Sequence, residues 1–330
     1  MKNRPGPRSF AKFVQTPKDA FQIFFTDAMV KNIVTYTNSV LQPITERFSD
    51  LLLNSNKYSF FRTVDYIDVR AYIGILYLRA ALRVNLLRVD AIWDHESAND
   101  VFGAAMSQNR FHFINRFITF DDKATRPERW RKDKFACMRE LFEMMNKNNG
   151  KSRYPSPLLS IDETLYPYRG HIGFKQYNPN KPSKYGLMYR SLCDSSTTYT
   201  YSSLPYAGKP EEIEGAAAKY YVKGTDEYTK YLVNELSQYN SIKGCNISMD
   251  RYFTSVSLAE WALENHFTIV GTMRLDRKGI PAEIKSVNNR QERSVLHVHH
   301  TEKISCSSRI STKRSLARKT LSFLRQCTTT

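Results

Sequence analysis

The chain has no long hydrophobic run. Its apolar stretch at residues 71–78 is closed by Arg70 and Arg79, far short of the roughly 20 residues that a membrane-spanning helix needs. The first residues, MKNRPGPRSF, contain no apolar segment of the kind that directs secretion. Cysteine is scarce. The five (Cys137, Cys193, Cys245, Cys306 and Cys327) are odd in number and show no CxxC spacing, which excludes a disulfide scaffold and suits free thiols in a reducing compartment. An intracellular protein follows, in which the Asn246-Ile247-Ser248 sequon carries no glycan. A glycine-rich phosphate loop and a Ser-His-Asp arrangement are both missing. Acids are in deficit as well: 32 Asp and Glu against 49 Lys and Arg leave a net charge of +17 and a pI near 9.6. Such a chain attracts polyanions, nucleic acid first among them. The plain alternative is a basic surface without a ligand.

What is present is ample material for a core. Hydrophobic residues make up 41% and aromatic residues 13%, with 20 Tyr and 19 Phe, so wholesale disorder is excluded. Residues 1–17 carry Pro5, Pro7 and Pro17 among basic residues and read as a flexible lead-in. Residues 18–150 read as a mostly helical dimerisation or DNA-binding domain. One helix begins after Thr26 with Met29, Val30, Ile33, Val34, Thr37, Val40 and Leu41 on one stripe, and Pro43 ends or kinks it. A second spans 64–81. Trp93, Phe102, Met106, Phe111, Phe113 and Phe117 are candidate core, and residues 137–145 look helical.

Residues 146–157, with Gly150, Pro155 and Pro157, mark a boundary, and the texture then changes. Short β-rich segments at 158–166, 186–193 and 199–206 precede a helix at 225–239 and a strand at 241–249. A helix capped by Ser255 or Ser257 and a strand at 267–273 follow. Residues 286–330 are rich in Ser, Thr, Lys and Arg, contain no Asp, and read as a disordered basic tail.

Two places concentrate chemistry. Leu158, Leu159 and Ile161 lead into Asp162 and Glu163, and Ile247, Ser248 and Met249 lead into Asp250. Two strands that each deliver an Asp near the end are what an oxygen-ligand site for magnesium requires. The structural alternative is a turn acid at Asp162 and a helix N-cap at Asp250. Arg169, Lys181 and Lys184 lie near the first Asp with Tyr168, Tyr177 and Tyr185 interleaved, a pattern suited to a nucleic-acid backbone and its bases, although strand tyrosines are also packing residues. Arg274, Arg277 and Lys278 form a basic loop that would track phosphates or else be a solvated hairpin. His297, His299 and His300 with Cys306 match no standard zinc spacing and read as a solvated cluster.

SIDET at 160–164, K-P-x-K-Y-G at 181–186 and D-x-Y-F-T-S at 250–255 resemble words of the piggyBac transposases. FTIVGTMRLDRKGIP at 267–281 looks like the family's strand and basic turn. TNSVLQ at 37–42 and NRFHFINRFITFDD at 109–122 are weaker matches, so the resemblance covers residues 20 to 285. It implies an α/β, ribonuclease-H-like DDE transposase domain at 151–285, incomplete and preceded by the helical domain. It further implies DNA (transposon ends and TTAA targets) as partner, a homodimer, a nuclear location, and cut-and-paste transposition by metal-dependent phosphoryl transfer. Asp162 and Asp250 would be the catalytic residues and would hold Mg2+ or Mn2+. Relatives use a third Asp, in a glycine-rich K-G-G-x-D element that this sequence does not contain. Neither Glu163 nor Asp276 sits in a matching motif, and Arg251 stands where relatives carry Asn. The expectation is a catalytically incomplete transposase-derived chain, the alternative a non-catalytic DNA-binding protein. For the tail the readings are an out-of-frame or alternative-exon segment, or a natural basic arm.

Overall fold

The structure is a computed structural model that describes residues 4–48, 58–94, 100–274, 276–280 and 282, and the backbone of 295–300, 304–309 and 320–322. The chain packs as two units, one of residues 21–145 and one of residues 1–20 with 146–330.

The first unit is helical among its described residues. Helix α2 (Asp27–Arg47) follows the short α1 (Pro17–Phe24) and buries Met29, Val30, Ile33, Thr37 and Leu41, the spacing read from the sequence. Pro43 does not end it. The carbonyl that proline leaves unpaired is that of Ser39, an exposed residue, so the break costs little and the helix continues to Arg47. Helix α3 (Tyr66–Ala81) starts on a reciprocal cap in which Asp65 and Asp68 each accept from the other's backbone N–H. The short α4 (Val101–Ala105), α5 (Gln108–Phe117), α6 (Arg126–Lys132) and α7 (Ala136–Ser152) follow. Phe102, Met106, Phe111 and Phe113 join Ile33, Leu41, Val69 and Ile75 in one core, with Trp93 and Phe117 packed at its edge.

A buried cation organises this unit. Arg110 is 4% exposed. It donates to Asp68 at 2.7 Å and to the carbonyls of Phe60, Arg62 and Thr63 at 2.7–2.8 Å. A charge removed from water is tolerated when partners surround it in this way. Burial would raise the Asp68 carboxyl pKa, but the Arg110 guanidinium and the cap at Asp65 hold it below the ordinary carboxylate range.

The second unit is built on a mixed sheet. Strand β3 (Leu158–Pro167) is flanked by antiparallel β5 (Tyr185–Asp194) and parallel β7 (Asn246–Met249). Beyond β5 lie β4 (Gln176–Tyr177) and β6 (Thr200–Pro205), and beyond β7 lies parallel β8 (Thr268–Thr272). Leu159, Ile161, Leu192, Leu204, Ile247 and Ile269 form a core with Leu232, Val233 and Leu236 of α8 (Thr225–Ser237) and Leu258, Ala259 and Ala262 of α9 (Val256–Glu264). The strand expected at 241–249 begins only at Asn246, because Gly244 takes a positive φ of 80° in a turn before it.

Two expectations change here. The N-terminal lead-in is held in place. Strand β1 (Gly6–Pro7) pairs with β2 (Arg153–Tyr154), and Arg8 donates to the Tyr239 carbonyl and to Asn240. The basic tail contains strands: β9 (Val295–His300) and β10 (Ile304–Arg309) pair antiparallel, and β11 (Thr320–Ser322) pairs with β8. Register places Cys306 opposite Val298 rather than opposite a histidine. The rest of the tail lies outside the described residues. No helix among the described residues is long and apolar enough to cross a membrane.

Candidate functional site

The parallel ladder of β3 and β7 ends at the pair Ile161–Met249. The next residue in each segment is an aspartate, so Asp162 within β3 and Asp250 just past β7 stand side by side, with backbones about 4.8 Å apart. Asp162 is mid-strand in β3, which runs on beside β5 to Pro167; only its pairing with β7 stops there. The carboxyl ends of parallel strands are where open α/β sheets place their ligands.

Backbone amides hold both carboxylates. Asp162 accepts from the Glu163 N–H at 2.7 Å, and Asp250 accepts from the Tyr252 N–H at 2.9 Å. The Asp250 carbonyl takes the Thr254 hydroxyl at 2.7 Å. Helix α9 is capped by Ser255, which accepts from Leu258 N–H at 3.1 Å, so Asp250 is not its N-cap. Each aspartate is exposed and keeps one carboxylate oxygen without a partner among the described residues. Two hard oxygen donors of this kind fit a magnesium ion, which often takes only one or two protein carboxylates and fills its other positions with water and phosphate. No third acid, histidine or cysteine joins them among the described residues. Glu163 lies on the opposite face and pairs with Arg190 at 3.1 Å, and Asp276 accepts from Arg274 at 2.6 Å.

Two glycines in the quoted sequence words sit where no side chain fits, Gly271 beside the end of β7 and Gly186 at the far end of β3. A Cβ at Gly271 would lie 2.5 Å from the Met249 carbonyl and would also clash with the Thr254 hydroxyl, and a Cβ at Gly186 would overlap the Tyr166 carbonyl. Strand β8 therefore approaches the end of β7, next to Asp250, more closely than any side chain permits, and β5 does the same at the far end of β3, by Tyr166.

The six basic residues divide into two sets. Lys181 donates to the Glu163 carbonyl at 2.9 Å, Arg277 to the Tyr252 carbonyl at 2.5 Å, and Arg274 is paired with Asp276. Lys181 and Arg277 thus tie down backbone beside Asp162 and Asp250, whereas Arg274 pairs with a near neighbour in its own loop. Arg169, Lys184 and Lys278 are exposed, and their side chains have no partner among the described residues. Tyr177 and Tyr185 are 56% and 54% exposed with ring centroids 4.8 Å apart, so they form a surface platform rather than core.

The strand order and the two adjacent aspartates define a ribonuclease-H-like domain of the DDE transposase type. A family model described as Transposase IS4 matches residues 16–327, so the match continues through the tail that the sequence words leave out. The chain belongs to the piggyBac-like transposase family. Human PiggyBac transposable element-derived protein 3 is 24% identical over 295 residues, which are 87% of this chain and 45% of that protein. Human PiggyBac transposable element-derived protein 2 is 24% identical over 268 residues, 78% of this chain and 40% of that one. A solved piggyBac transposase, from its synaptic complex with hairpin DNA, superposes with a TM-score of 0.80 at 28% identity, over 99% of this chain and 64% of that chain. The chain thus spans less than half the length of these curated relatives.

Proposed function

We propose that the chain is the metal-binding and DNA-binding part of a cut-and-paste transposase, acting on transposon ends and on TTAA targets in the nucleus. The observation that carries this reading is the register that sets Asp162 beside Asp250. These carboxylates would hold Mg2+ or Mn2+, and the bound ion would stabilise charge on the phosphate oxygens during strand transfer. The chain's own groups do the positioning. The Glu163 and Tyr252 amides orient the two carboxylates, and Arg169, Lys184 and Lys278 contact the strand backbone while Tyr177 and Tyr185 offer faces to its bases. A homodimer, as expected for paired transposon ends, belongs to the same reading.

A second reading is DNA binding without catalysis, favoured by the presence of two rather than three clustered carboxylates among the described residues. One experiment separates the two. Mn2+ binding and strand cleavage are measured on a polypeptide of these 330 residues and on Asp162→Asn and Asp250→Asn. Weak Mn2+ binding that both substitutions abolish supports the metal site, and unchanged binding would sink it. We expect no cleavage product from these residues alone, because the K-G-G-x-D element is not among them. Product that disappears in Asp162→Asn would overturn that expectation and with it the non-catalytic reading.

A further inference from the structure

On the face of the sheet away from the two aspartates lies a cavity of about 220 Å³. Its floor is Arg190, only 3% exposed, and its walls include Tyr206, Tyr220 and Tyr228. The guanidinium sits 3.9 Å from the Tyr228 ring centroid, with Tyr252 and Tyr206 at 5.8 and 5.9 Å. Its Nε donates to Glu163 at 3.1 Å and its Nη2 to the Tyr252 hydroxyl at 3.4 Å. Nη1 has no hydrogen-bond partner among the described residues. Lys209 and Lys223 are exposed residues of the same lining.

Each feature narrows what this cavity accepts. Glu163 cancels the charge of Arg190, so the pair presents N–H donors rather than net charge. A neutral acceptor edge suits it better than a phosphate does. Tyrosine walls suit a flat π-system, because stacking tolerates any base. Arginine donors suit the acceptor edge of a base. The volume lies below the roughly 300–1,000 Å³ of pockets for drug-sized ligands, and so suits one planar ring system. The exposed lysines suit flanking phosphates. Its position ties it to the site: Glu163 follows Asp162 directly, and Tyr252 is the residue whose amide holds Asp250. Were Arg190 only a packed core cation, neither the cavity nor the open Nη1 would be expected.

We propose that this cavity takes one unstacked nucleobase of the DNA strand held at Asp162 and Asp250. The proposal rests on the DNA reading above. The test uses the full chain with a DNA hairpin oligonucleotide that carries 5-iodouracil at successive positions. Binding is followed by fluorescence anisotropy, and photo-crosslinks are mapped by mass spectrometry. The expected result is a crosslink to Tyr206 or Tyr228 from one position, with its yield reduced about fivefold or more in Tyr228→Leu. Arg190→Lys keeps a charge opposite Glu163, so it should fold and should also lose the crosslink. Binding with crosslinks only to the surface tyrosines Tyr177 and Tyr185 would overturn the pocket and leave the DNA reading standing. Absence of binding would overturn both. Loss of the crosslink to added free thymidine monophosphate, with the hairpin still bound, would mean that the cavity takes a free nucleotide and would overturn a strand-borne base.

Discussion

Gly271→Ala is the sharpest test of how the site is held. In β8, Gly271 is registered with Met249, the last residue of β7 before Asp250. An alanine methyl there would lie 2.5 Å from the Met249 carbonyl, with the Thr254 hydroxyl closer still. Ordinary contact begins at 3.4 Å, about 0.9 Å farther from the carbonyl and about 1.1 Å farther from the hydroxyl, and neither neighbour is a flexible side-chain end. The Met249 oxygen is backbone, and Thr254 is buried and tied to the Asp250 carbonyl. The strand end must therefore shift and carry Asp250 away from Asp162. Overpacking of this kind costs about 1–3 kcal/mol. At roughly 2–4 °C per kcal/mol for a domain of this size, the melting temperature should fall by about 2–12 °C. Mn2+ affinity, followed by electron paramagnetic resonance, should fall with it. Gly173→Ala is the control, since a Cβ there meets nothing within 4 Å and the backbone needs no positive φ. A Gly271→Ala protein with the parent's melting temperature and Mn2+ affinity would refute the claim that β8 sets the position of Asp250.

Four further outcomes follow from the same geometry. Arg110→Met leaves Asp68 with the half-exposed Arg62 as its remaining cationic partner and strands the Phe60 and Arg62 carbonyls, and should cost about 2–4 kcal/mol in urea unfolding; a loss under 1 kcal/mol would contradict the buried network. Because Arg110 depresses the Asp68 carboxyl, the stability it gives is complete above the unfolded value of about 3.9 and is lost as pH falls through the lower folded value. An acid-unfolding curve for Asp68→Asn should therefore be flatter than the parent's in that range. Burial pushes the Cys245 thiol up to about 11, so iodoacetamide at neutral pH should leave it unlabelled until the protein is unfolded, whereas labelling at the unfolded rate would show that the sheet core opens freely. If Arg169, Lys184 and Lys278 are the free phosphate contacts, changing all three to Gln should reduce the salt slope of DNA binding by about 0.9 per lost contact, while a slope that does not move would remove them from the interface.

Local signals made much of this protein readable. The stripe from Met29 to Leu41, the cap at Ser255 and the acids that end two apolar runs depend on residues a few positions apart, and such periodicities are written directly in the chain. The sequence also singled out Asp162 and Asp250 by the words around them. It did not contain their adjacency, which depends on a parallel ladder joining segments far apart in the chain, and pairing of that kind leaves no periodic trace. Nor did it separate the roles of the basic residues. Lys181 and Arg277 look like phosphate contacts in one dimension, but in the fold they cap carbonyls at Glu163 and Tyr252. Gly186 and Gly271 appear in the sequence only within the matching words, and it is the fold that shows neighbouring atoms in the space of their missing Cβ atoms. Arg190 carried no signal in the sequence. It is one polar residue in a strand, and only the meeting of β5, β6 and α8 surrounds it with tyrosines and leaves a cavity at its side. Residue type and spacing thus set the elements and named the carboxylates, whereas contacts between distant segments decided which groups are free to act.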